Sequence, residues 1–131
     1  MGLFNSIFGS KKNNGNATGR QLPWIPLTSL EQVDDIAKKS ASRTQIIFKH
    51  STTCGISRMV LNRFEKNPLL KEGGLDLYFL DLHQHRELSN KIAQRFQVLH
   101  QSPQLLVIKE GRAVDHGSHG GITTIPLKDY L

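Results

Sequence analysis

A single cysteine, Cys54, stands in a chain of 131 residues. One thiol cannot close an internal disulfide, which excludes a disulfide scaffold and predicts a reducing compartment, the cytoplasm. No stretch approaches the ~20 consecutive apolar residues that a membrane-spanning helix needs, so no membrane partner is expected. The opening residues Met1 to Ser10 have too short an apolar region, and no cleavage-site pattern, for a secretory signal. The chain carries 17 Lys and Arg against 11 Asp and Glu, a formal net charge of +6. Those cations are spread out, with no dense basic run interleaved with aromatics, so nucleic acid is not the expected partner. A basic balance of this kind also suits anionic substrates.

What the chain does have is one domain's worth of alternating elements behind a polar lead-in. Residues 9–20 are rich in Gly, Asn and Lys and cannot bury a core. Residues 1–20 therefore read as a flexible tail and 21–131 as the folded domain. Leu3, Phe4, Ile7 and Phe8 could form a short apolar face within the tail. Met1-Gly2 with Ser6 fits a myristoylation pattern that is short and common.

Within the domain, Thr28/Glu31 and Ser29/Gln32 each match a helix-capping box. Leu30, Val33, Ile36 and Ala37 then recur at helical spacing as far as Lys39. The run 45–48 reads as a buried strand, and Ile56, Met59, Val60 and Phe64 mark one face of a second helix. Residues 75–80 give another strand, Leu88, Ile92 and Phe96 a third helical stripe, and 104–109 with 112–116 a hairpin across Glu110-Gly111. Residues 124–131 read as a closing helix with Pro126 in its first turn. Strands joined through helices should pair in parallel by right-handed crossovers. The order predicts an α/β, thioredoxin-like architecture: a central four-stranded mixed sheet flanked by helices.

Cys54 falls in the loop after the first central strand, where the second helix begins. A helix N-terminus presents unpaired N–H groups and partial positive charge, both of which favour a thiolate. Ser57 stands where a dithiol enzyme has its second Cys. Its hydroxyl could bond the sulfur but cannot resolve a mixed disulfide, and Arg58 could add favourable charge. Ser102-Pro103 lies directly before the third strand. In a thioredoxin-like fold a cis proline there faces the reactive Cys.

Thr53-Cys54-Gly55-Ile56-Ser57, Ser102-Pro103-Gln104, the hairpin from Leu105 to Asp115, then Ser118-His119 and Ile122-Thr123 resemble the monothiol bacilliredoxin family. The resemblance covers about residues 22–131. It implies an enzyme that removes bacillithiol, or a similar small thiol, from protein mixed disulfides. Cys54 would be catalytic, with Thr53, Gly55, Ser57, Arg58, Ser102 and Pro103 supporting the thiol site. No tightly bound cofactor is implied, bacillithiol being a cosubstrate. The implied partners are bacillithiolated proteins, the small thiol and a partner reductase. Gly55 departs from that family's Pro and is closer to the Cys-Gly-Phe-Ser pattern of monothiol glutaredoxins. An iron-sulfur carrier and a non-catalytic interaction domain are therefore the alternatives.

Two further constellations stand outside the motif. Gly117, Ser118, His119, Gly120 and Gly121 could form a loop that holds an anion through backbone N–H groups. His83 and His85, and His116 and His119, have metal-ligand spacing. No carboxylate or second Cys completes either set, so no metal is expected.

Overall fold

The computed structural model describes residues 22–131. The tail, its apolar residues and the start of the domain at Gln21 lie outside the described residues. The elements are β1 (Ile25–Pro26), α1 (Leu30–Lys39), β2 (Thr44–His50), α2 (Gly55–Glu65) and a 3-10 turn (Pro68–Lys71). They continue with β3 (Leu75–Asp81), α3 (Arg86–Phe96), β4 (Gln104–Lys109), β5 (Arg112–Ser118) and two 3-10 segments, His119–Thr124 and Leu127–Tyr130.

The sheet has five strands in the order β1-β3-β2-β4-β5, not the four expected. The extra strand is the two-residue edge β1, where Ile25 and Pro26 pair in parallel with Tyr78 and Phe79. Proline can occupy an edge because its missing N–H leaves no central ladder bond unmade. β2 and β3 are parallel, as the crossover through α2 requires. β4, however, runs antiparallel to β2 although α3 precedes it, and β5 returns antiparallel to β4. The expected parallel pairing fails at β4 because residues 97–103 carry the chain back to the carboxyl end of β2 before the strand begins. Gln104 braces that connection, its amide donating to Leu99 O (2.9 Å) and its carbonyl accepting from Gln101 N (3.4 Å).

Alternation along the strands divides the core between the two faces of the sheet. Ile46, Phe48, Leu77, Leu105 and Val107 pack against Val60, Leu61 and Phe64 of α2. Ile47, Leu80, Leu106 and Ile108 pack against Val33 and Ile36 of α1 and against Leu88, Ile92 and Phe96 of α3. Of the two candidate capping boxes, Ser29 with Gln32 is the one formed.

The buried face of α2 is Ser57, Val60, Leu61 and Phe64. Ile56 and Met59, expected on that face, are exposed, which rotates the helix so that Ser57 points inward. The expected closing helix is replaced by the two 3-10 segments. Pro126 biases Ile125 away from helical backbone, and Ile125 is extended at ψ 127°.

Gly117 sits where β5 passes close to the first 3-10 segment. A Cβ there would stand 2.9 Å from the carbonyl oxygen of Gly121 and 3.1 Å from Cδ1 of Ile125. Gly55 has nothing within 4 Å of the same construction. Gly117→Ala should therefore destabilise the fold by about 1–3 kcal/mol through overpacking. Gly55→Ala should be neutral or stabilising by up to about 1 kcal/mol. Denaturant midpoints of the two variants check this, and equal midpoints would contradict it.

Candidate functional site

Cys54 is the N-cap of α2, half-buried, with extended backbone (φ −102°) and no side-chain cap bond. Ser, Thr or Asp at this position would direct an oxygen at the first-turn N–H groups; here the residue carries sulfur. The loop before it is a tight turn, Cys54 N donating to Ser51 O at 3.2 Å.

Ser57 is fully buried beneath this loop. Its Oγ lies 2.8 Å from Nδ1 of His50 and accepts from Ser51 N at 3.1 Å. The hydroxyl is thus bonded to His50 and the loop backbone, where the sequence suggested a bond to the sulfur. His50 closes β2 and is itself buried, its ring 5.3 Å from that of Phe79. The same two-residue alternation that turns Ile46 and Phe48 toward α2 turns His50 there too. That parity was available in the sequence.

Arg58 is exposed and donates from Nη1 to Thr52 O at 3.2 Å, so it holds the same loop from the helix side. On the other side stands His83, one residue past Leu82 in the connection from β3 to α3. Its Nε2 is 3.1 Å from Ser51 Oγ and 3.0 Å from Thr53 Oγ1. Sequence reasoning weighed His83 only as a metal ligand. The usable signal was topological: β2 and β3 are parallel neighbours, so the loops that follow them meet at one end of the sheet.

The Ser102-Pro103 bond is cis, as a thioredoxin-like reading requires. Gln104 pairs with Lys49, one residue before the end of β2, which brings Pro103 to the end of the sheet where Cys54 lies. Pro103 is buried and its carbonyl accepts from His119 N at 3.1 Å. The Ser102 hydroxyl is buried with no partner among the described residues.

The supposed anion loop is not one loop. Gly117 and Ser118 belong to β5, paired with Leu105 and Gln104, and only His119, Gly120 and Gly121 enter the 3-10 segment. The His119 N–H is bonded to the Pro103 carbonyl, which ties the segment to the cis proline. The two histidine pairs gather no metal set: among the described residues no three His, Cys, Asp or Glu side chains come together.

One charged group near the site was not foreseen. Lys49 is fully buried on the α3 face of β2. Its Nζ donates to Ser89 O (3.2 Å) and contacts Nδ1 of His100 at 3.3 Å. Burial lowers its pKa from 10.5 to about 8. Burial, and then the charges of Lys49 and Arg86, lower that of His100.

Between pH 8 and 10.5 the folded chain therefore holds fewer protons at Lys49 than the unfolded chain, so this group makes stability rise with pH there. Below pH 8 the charged amine costs on the order of 3 kcal/mol, partly offset by its hydrogen bonds. Lys49→Met should raise stability at pH 7 by about 1–3 kcal/mol. That gain should vanish as the pH approaches 10.5. Urea unfolding at several pH values measures it; a loss of stability at pH 7 would show that the amine's bonds outweigh its burial.

The family model for monothiol bacilliredoxin BrxC matches residues 25–127. A solved protein described as a candidate oxidoreductase with a thioredoxin fold is 33% identical. The match covers 82% of this chain and 92% of that one, at a TM-score of 0.69. The thioredoxin of Trypanosoma brucei brucei is 17% identical over 88% of this chain and 94% of its own, at a TM-score of 0.64. That of Schistosoma mansoni is 15% identical over 82% and 95%, at a TM-score of 0.65. These two thioredoxins show the fold alone. With Cys54 capping α2, a cis proline at the same end of the sheet, and a family match reaching from β1 to Leu127, the chain belongs to the monothiol bacilliredoxins, thiol-redox proteins of thioredoxin fold.

Proposed function

We propose that this chain is a monothiol thiol-disulfide oxidoreductase that takes bacillithiol, or a similar small thiol, off protein mixed disulfides through Cys54. The observation that carries the reading is the pairing of a half-buried Cys54 at the start of α2 with a fully buried Ser57 one turn on. The Cys54 thiolate attacks the small-thiol sulfur of a protein–S–S–R disulfide. That S–S bond breaks, the protein sulfur leaves as a thiolate and takes a proton from water, and Cys54–S–S–R remains. No second Cys exists to attack it. The adduct then persists until an external thiol R′–SH attacks its outer sulfur, which leaves R–S–S–R′ and frees the Cys54 thiolate, or until a partner dithiol reductase reduces it to R–SH and Cys54 while its own two thiols become a disulfide.

Bacillithiolated proteins are the partners on this reading, and bacillithiol is a cosubstrate rather than a bound cofactor. Arg58, exposed beside the Cys54 loop, is the cation best placed for the carboxylates of such a thiol. Of the glycine segment, Gly120 and Gly121 are the exposed part that could add backbone N–H groups. A bacterial cytoplasm, reducing enough to keep a lone thiol free, is the compartment that suits this chemistry.

Incubating the chain with a bacillithiolated reporter protein and weighing both by intact mass spectrometry tests the reading. Wild type should gain one thiol adduct while the reporter loses one, and Cys54→Ser should transfer nothing. The double variant Cys54→Ala/Ser57→Cys should also fail, because position 57 is buried behind the loop against His50. An unmodified wild type beside a still-modified reporter would reject the reading. A brown, iron-containing protein from anaerobic purification would then favour the cluster-carrier alternative that Gly55 suggested.

A further inference from the structure

We propose that His83 is a positioning residue for Cys54, acting through the hydroxyls of Ser51 and Thr53; this rests on the exchange reading above. The three residues that deliver Cys54 to the start of α2 are each held by a side chain from elsewhere. Ser51 gives its N–H to Ser57 Oγ, and the Thr52 carbonyl accepts from Arg58. Thr53 is the residue in direct sequence contact with the nucleophile, and it is exposed. Its hydroxyl stands 3.0 Å from Nε2 of His83, and the Ser51 hydroxyl stands 3.1 Å from the same nitrogen.

One imidazole nitrogen thus gathers both hydroxyls that flank Thr52, and the two lie 3.5 Å from each other. Nε2 carries one lone pair or one N–H, so its single hydrogen bond is shared between two hydroxyls, each of which can donate or accept with either tautomer of the ring. His83 is itself fixed, because its backbone N–H donates to Asp81 Oδ1 at 3.0 Å. The imidazole therefore ties the loop after β2 to the loop after β3, from the solvent side. Ser57 and His50 hold the same loop from inside.

Disulfide exchange needs this precision. The attacking sulfur must approach in line with the S–S bond that breaks, and small misplacements of a nucleophile cost large factors in rate. A loop of exposed Thr52 and Thr53 with no apolar side chain to bury has only hydrogen bonds to hold it. Removing the imidazole takes away the one group that both hydroxyls share while leaving the core untouched.

The test measures exchange of full-length chain with two probes, an aromatic disulfide that reports released thiolate by colour and the bacillithiolated reporter protein. His83→Ala should lower the exchange rate with both about tenfold while leaving the thermal midpoint within about 2 °C, as for an exposed site. His83→Gln, whose amide can still reach both hydroxyls, should recover most of the rate. Thr53→Val should be slow, and His83→Ala/Thr53→Val should be no slower than the slower of the two single variants. Wild-type rates in His83→Ala, or losses that multiply in the double variant, would overturn the proposal. Should His83→Ala lower the midpoint sharply, failure of His83→Gln to restore the rate would overturn it equally. A wild-type chain that reacts with the aromatic disulfide but not with the reporter overturns the bacillithiol reading instead, and leaves the His83 comparison intact.

Discussion

Gln104 and Lys49 stand opposite each other where β4 begins and β2 nears its end. The site depends on that antiparallel pairing. Had β4 run parallel to β2, its first residue would lie beside Thr44, at the far end of the sheet from Cys54. Because it runs the other way, the cis Ser102-Pro103 bond arrives at the end where β2 gives way to the Cys54 loop. The side chain of Gln104 also ties down Leu99 and Gln101. One buried residue thereby braces the connection that delivers the strand in this direction.

The two faces of β2 carry opposite kinds of support for that end of the sheet. His50 turns toward α2 and meets the Ser57 hydroxyl, and both groups are buried and bonded. Lys49 turns toward α3 and meets a carbonyl and an imidazole with no carboxylate. A buried hydroxyl is inexpensive when its hydrogen bonds are satisfied, whereas a buried cation is not. The chain keeps the costly group beneath His100, in the connection that leads to the cis proline.

The sequence was most legible where hydrophobic period and length agreed. The apolar runs at 45–48, 75–80 and 104–109 are strands, and the Leu88, Ile92 and Phe96 stripe is a buried helix face. The cis proline was legible only once the fold was granted, since Ser-Pro alone says little about its isomer. What escaped were features decided by tertiary placement. A two-residue edge strand at Ile25–Pro26 has no period to detect. The direction of β4 is decided by a seven-residue connection rather than by the strand's own residues. The rotation of α2 turns Ser57 inward, where the His50 ring is its buried partner, and leaves Ile56 and Met59, expected on the buried face, exposed. His83 lay 29 positions from Cys54, in a His-x-His pair weighed only as metal ligands, and the pairing of β2 with β3 brings it there.

The inward turn of Ser57 gives the position three residues after Cys54 a structural part. Here its hydroxyl accepts a loop N–H and faces a histidine ring, so the position has become part of the scaffold beneath the nucleophile. Any thiol that completes an exchange must then approach from outside. Exposed apolar side chains stand on the same helix, Ile56 and Met59, and in the connection to the cis proline, Leu99. The rotation that buries Ser57 is the same one that turns Ile56 and Met59 to the surface, so one packing choice puts a hydroxyl beneath the Cys54 loop and apolar side chains on the exposed face of α2.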